Sequence, residues 1–87
     1  MIENIQVEIH DIGNPAVRLV EITYQGKSAA HVMPWPFEGD GPEIAKDFML
    51  GTIALTAIMQ PCHVWAEDLH DLGLDPQVIS KELSAKQ

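Results

Sequence analysis

The chain is poor in positive charge: Arg18 is its only arginine, and five basic side chains face thirteen acidic ones for a net charge of −8. Nucleic acid is held by Lys and Arg through neutralised phosphates and released counterions, so five scattered bases exclude direct nucleic-acid binding. Cysteine is almost as scarce. Cys62 alone cannot close an intrachain disulfide, which leaves stability to packing and implies a reducing, cytoplasmic setting. Catalytic signatures are missing as well. There is no G-x-S-x-G, no glycine-rich phosphate loop and no H-E-x-x-H, and the only positive neighbour of Cys62 is His63 when protonated. A non-enzymatic chain without a cofactor is expected. The N-terminus lacks a basic region ahead of an apolar run, so a secretory leader is not expected, and residues 1–87 read as one complete small domain.

What is present is a folding sequence. Hydrophobic residues make up 46% of the chain, within the range of ordinary globular proteins. A chain of this size buries roughly 60–65% of its unfolded surface, enough for one modest core with a thin stability margin.

The apolar spacing predicts an α+β domain. Ile5, Val7 and Ile9 alternate with Gln6, Glu8 and His10, the period of a half-buried strand over about 2–10. Gly13-Asn14-Pro15 turns the chain. Residues 17–24 read as a central strand, apolar on both faces, with room for a bulge near Leu19-Val20. Gln25-Gly26 makes a two-residue hairpin turn into a third strand over 27–33. An antiparallel meander this small needs elements packed on its apolar face.

Those elements follow. A proline- and glycine-rich loop, residues 34–42, leads to a D-x-x-E helix start at Asp40 and Glu43, with Pro42 in the first turn. The central helix then runs over about 42–60 and is stopped by Pro61. Ile44, Phe48, Leu55 and Ile58 or Met59 form its apolar stripe, and Leu50, Ile53 and Ala57 make the opposite side apolar too. A helix with this pattern is sandwiched or paired with another chain. Gly51, Ala54 and Ala57 or Ile58 offer small surfaces where a second backbone, from the sheet or another copy, could approach. Trp65, Leu69 and Leu72 predict an amphipathic helix over 62–72, capped by Gly73 with apolar Leu74 behind it. Asp75-Pro76 starts a third helix over 76–85.

Residues 48–66 carry no charge unless His63 is protonated, a run long enough to span a bilayer. Thr52, Thr56, Gln60, Pro61 and His63 interrupt it, and acids stand on both sides of it, where the positive-inside rule calls for an excess of Lys or Arg on one. A soluble core helix is expected, with no membrane role.

Three surfaces carry candidate chemistry. Trp35 and Phe37, on the stiff Pro34-to-Glu38 loop, are rigid aromatics of the kind that anchor interfaces; one buried ring and one available ring are expected. The acids cluster as Glu38, Asp40, Glu43 and Asp47, then as Glu67, Asp68, Asp71 and Asp75. Carboxylates at helix starts favour the dipole, but Asp68 and Asp71 approach a helix C-terminus, where they do not. The docking residues expected are Trp35, Phe37, Glu38, Asp40, Glu67, Asp68 and Asp71. The third surface is the row His63, Glu67 and His70. At i, i+4 and i+7 on one helix it offers imidazole and carboxylate to zinc or iron. The preferred reading of that row is a solvated face whose histidines cap or hydrogen bond.

The expectation is a small acidic binding module or inhibitor that docks on a larger, basic, nucleic-acid-binding protein surface. In size, acidity and absence of motifs it resembles the small phage-encoded inhibitors of host defence, anti-CRISPR proteins among them, although no residue pattern carries the likeness. The alternatives are a homo-oligomeric accessory subunit, a homodimer through residues 48–59, and a small metal-dependent enzyme using His63, Glu67 and His70.

Overall fold

A computed structural model of the chain describes residues 2–35 and 46–86. It is an α+β domain: three antiparallel strands in the order β1-β2-β3, followed by three helices. The strands are β1 (Gln6–His10), β2 (Val17–Tyr24) and β3 (Lys27–Pro34), and the helices are α1 (Lys46–Met59), α2 (Val64–Leu72) and α3 (Pro76–Ala85). The first strand is shorter than its sequence pattern implies, because Ile2–Asn4 form a 3-10 turn that tucks Ile2 into the core.

Pairing between β2 and β3 is continuous from Val17 opposite Pro34 to Tyr24 opposite Lys27, so of the two readings of residues 17–24 the central strand holds and no bulge forms near Leu19. With period two intact, Arg18, Val20 and Ile22 point inward, while Val17, Leu19, Glu21 and Thr23 point outward. The turn after β2 places Gln25 at φ 52° and Gly26 at φ 78°, the two left-handed positions that match the twist of a hairpin. The preceding loop is held by its own side chains. Asp11 accepts from Gly13 N at 2.8 Å and Asn14 accepts from Ala16 N at 2.9 Å.

All three helices contribute to one core with the inner sheet face: Val7, Val20 and Ile22 from strands, Met49, Leu50, Ile53, Ala54 and Ala57 from α1, Trp65, Leu69 and Leu72 from α2, and Ile79 from α3. The inward side of α1 is therefore the one carrying Leu50, Ile53 and Ala57. Of the stripe expected to lead the packing, Phe48, Leu55 and Met59 are more than half exposed and Ile58 is half-buried, while Ile44 lies outside the described residues. Both sides are apolar, and the buried one carries Ala54 and Ala57 between its larger residues. On the flank toward α3, a Cβ at Gly51 would sit 3.4 Å from the Leu83 side chain. The small residues of α1 thus pack against its own neighbours. The expected helix start at Asp40 to Glu43 lies outside the described residues.

Helix boundaries after α1 follow local hydrogen bonding. α2 begins two residues later than its spacing predicts, because His63 is extended (φ −72°, ψ 150°) and its Nδ1 accepts from Trp65 N at 3.2 Å. Gly73 at φ 82° ends α2, with Gly73 N donating to His70 O and Leu74 N to Leu69 O, and Leu74 is buried against the core. Asp75 caps α3 by accepting from Gln77 N at 2.9 Å, with Pro76 in the first turn. Among the described residues no single helix is long and apolar enough to cross a membrane; α1 and α2 together have the composition but are bent by 110° at their break.

Candidate functional site

Trp35 follows β3 and is buried, with 7% of its surface exposed. Its backbone N–H donates to Ala16 O at 2.8 Å, which extends the sheet by one more link. Its ring lies 5.3 Å from the Arg18 guanidinium carbon, within cation–π range. Arg18 itself is 4% exposed and donates from Nη1 to the carbonyls of Asn14 and Val17 at 3.2 and 3.0 Å. The pair closes the end of the core beneath the β1–β2 loop. Of the two aromatics proposed as anchors, Trp35 is therefore buried. Phe37, Glu38 and Asp40 lie outside the described residues.

The acids of α2 divide by helical phase. Glu67 and Asp71 are exposed, whereas Asp68 is half-buried and faces β3. There the His31 imidazole Nε2 bonds the Asp68 carboxylate, and the same imidazole stands edge-on to Trp65 with ring centroids 4.7 Å apart and an interplanar angle of 79°. The seeming misplacement of Asp68 near a helix C-terminus has its explanation in this tertiary contact. Among the described residues Asp71 pairs with the neighbouring His70 at 3.8 Å, and both side chains are well solvated.

The row His63, Glu67 and His70 does not assemble as a helical i, i+4, i+7 set. Its first member precedes the helix in an extended conformation and uses Nδ1 as the cap of α2. Among the described residues, the set of metal-ligating side chains whose ligand atoms all lie within 4.8 Å of one another is Glu8, His10 and Glu21, on the outer face of the sheet. The strand alternation that buries Ile5, Val7 and Ile9 already placed Glu8 and His10 side by side; Glu21 joins them only through the register of β1 against β2.

The other exposed surface is the outer face of α1. Phe48, Leu55 and Met59 follow one another at i, i+7 and i+11 and are 54%, 51% and 70% exposed. Thr52 and Thr56 lie between them, their hydroxyls turned back to the carbonyls of Phe48 and Thr52 at 3.0 and 2.8 Å. A shallow groove beside this row, lined by Gly51, Leu55, Ser80, Leu83 and Ser84, separates α1 from α3. At one end Lys86 reaches Asp47 at 3.4 Å. The signal for this surface was in the sequence as a surplus of apolar residues, but which side would be left over was not.

No protein-family model matches the chain, and neither a curated protein nor a solved structure does so.

Proposed function

We propose that the chain is a small acidic protein-binding module, with no catalytic role of its own, that docks on a larger protein through the outer face of α1. The observation that carries this reading is the pair Leu55 and Met59, one helical turn apart on α1 and each more than half exposed. Apolar side chains more than half exposed at helical spacing are what a partner groove takes up, and burying the exposed part of each contributes on the order of 1 kcal/mol.

Charge chooses the kind of partner. A chain carrying −8 repels its own copies and is drawn to a basic surface, which speeds encounter and sets orientation. The exposed acids Glu67 and Asp71 provide such contacts, and a basic, nucleic-acid-binding face is the surface that an acidic module would occlude. That mode of action is the one implied by the likeness in size and charge to phage-encoded inhibitors.

The second reading, a homodimer through residues 48–59, rests on the same pair and lacks the charge argument. One experiment separates the two. Leu55→Glu and Met59→Glu alter exposed positions, so both variants keep the wild-type melting temperature within a few degrees. Binding to a basic host protein, weakened by salt in the wild type, is then lost in both variants. A wild-type dimer by light scattering, made monomeric by the same substitutions, establishes the homodimer instead. A monomeric protein whose partner binding survives both substitutions removes α1 as the docking surface.

A further inference from the structure

We infer that Glu8, His10 and Glu21 form a binding site for a divalent first-row transition-metal ion on the solvent face of the sheet. The site is separate from the α1 row and does not depend on it, because the helices pack on the other face of the sheet.

The backbone sets up the triad. Glu8 and His10 are two residues apart on β1, so the pleat projects both from the same face. Antiparallel pairing sets Glu21 of β2 directly opposite Glu8. His10 Nε2 is 3.6 Å from Glu8 Oε2 and 3.6 Å from Glu21 Oε1, and all three ligand atoms fall within 4.8 Å of one another. Ligands bound at 2.0–2.2 Å to a tetrahedral ion stand roughly 3.3–3.6 Å apart. The two imidazole–carboxylate separations already meet that spacing, and side chains this solvated can make the small adjustment that remains for the third.

The electrostatics call for a cation. Two carboxylates held opposite one another by ladder hydrogen bonds destabilise a strand pair, and glutamate is disfavoured in strands to begin with. The next residue across the sheet is Ala30, which brings no charge. A protonated His10 would offset one of the two negative charges; a divalent ion, with the imidazole neutral, offsets both. One imidazole and two carboxylates suit zinc and its neighbours in the first row better than magnesium or calcium, which prefer oxygen alone. Three protein ligands leave at least one coordination position for water.

Equilibrium dialysis of the full chain against Zn2+, with metal analysis and thermal melting, tests the site. The expected result is one zinc per chain, a melting temperature that rises with zinc, and no displacement by excess Mg2+. His10→Ala and Glu21→Gln should each weaken binding at least tenfold and abolish the zinc-dependent shift, while their metal-free melting temperatures stay near or above wild type. A His63→Ala/His70→Ala variant should bind zinc like the wild type. The inference is overturned by a wild type that takes up no zinc, by His10→Ala binding as tightly as wild type, by loss of binding in the His63→Ala/His70→Ala variant, or by displacement with Mg2+.

Discussion

The His31 imidazole of β3 bonds the Asp68 carboxylate of α2 while resting edge-on against the buried ring of Trp65. Two polar side chains, 37 positions apart in the chain, thus tie the edge strand to the middle helix over an apolar floor. Their coupling is measurable. A double-mutant cycle with His31→Ala and Asp68→Ala should return an interaction energy of about 0.5–3 kcal/mol, the range for groups in one polar contact. Single-mutant effects that add with no remainder would mean that the contact is absent in solution.

Trp35 gives a second test, in which sequence and structure point in opposite directions. Read as a loop anchor, Trp35→Ala would leave stability alone. Buried beside Arg18, the same substitution should instead cost about 3–5 kcal/mol in chemical denaturation, since it empties a filled site and bares the guanidinium. An unchanged denaturation midpoint would return Trp35 to the surface.

Trp65→Ala should be as damaging, at about 3–5 kcal/mol, for the ring is 1% exposed and supports His31 as well as the α2 core face. With so small a domain, that loss takes most of the stability margin. The variant is expected to be largely unfolded at physiological temperature by circular dichroism; a cooperative melt near the wild-type temperature would contradict the packing.

Gly51 offers a change of opposite sign. Gly51→Ala adds a methyl that meets the flexible end of Leu83 at 3.4 Å, an ordinary contact, and removes the helix cost of glycine. A gain of up to about 1 kcal/mol is expected from the melting curve. A loss of stability instead would show that the Leu83 side chain cannot yield and that α1 and α3 pack more closely than this contact implies.

The hairpin can be tested in the same way. Gly26 adopts φ 78°, a region that costs a non-glycine residue roughly 1–2 kcal/mol. Gly26→Ala should lower stability by that amount, although the space around it is open. Gln25→Asn, at φ 52°, places a residue more tolerant of the left-handed region and should stabilise slightly. Equal stability of all three proteins would rule out this turn geometry.

The sequence by itself determined the local grammar of this protein. Period-two alternation in β1, the Gln25-Gly26 turn, the stop at Pro61, the Gly73 cap and the Asp75-Pro76 start are all dictated within a few residues, and each stands where the chain says it should. Those signals are short-range: steric limits on φ, missing donors and side chains that cap nearby amides. Tertiary structure decided what local signals leave degenerate. α1 is apolar on both sides, and only packing against the sheet and Leu83 selected Leu50, Ile53 and Ala57 for the core and left Phe48, Leu55 and Met59 outside. Arg18 and Trp35 went inside because the end of the core had room for a stacked pair and carbonyls to receive the guanidinium. Asp68 found His31, and Glu21 came opposite Glu8, because strand register and helix docking bring together residues far apart in the chain. The helices, strands and turns were therefore readable in advance. Which surfaces stayed open for a partner or an ion depended on contacts that exist only once the chain has closed on itself.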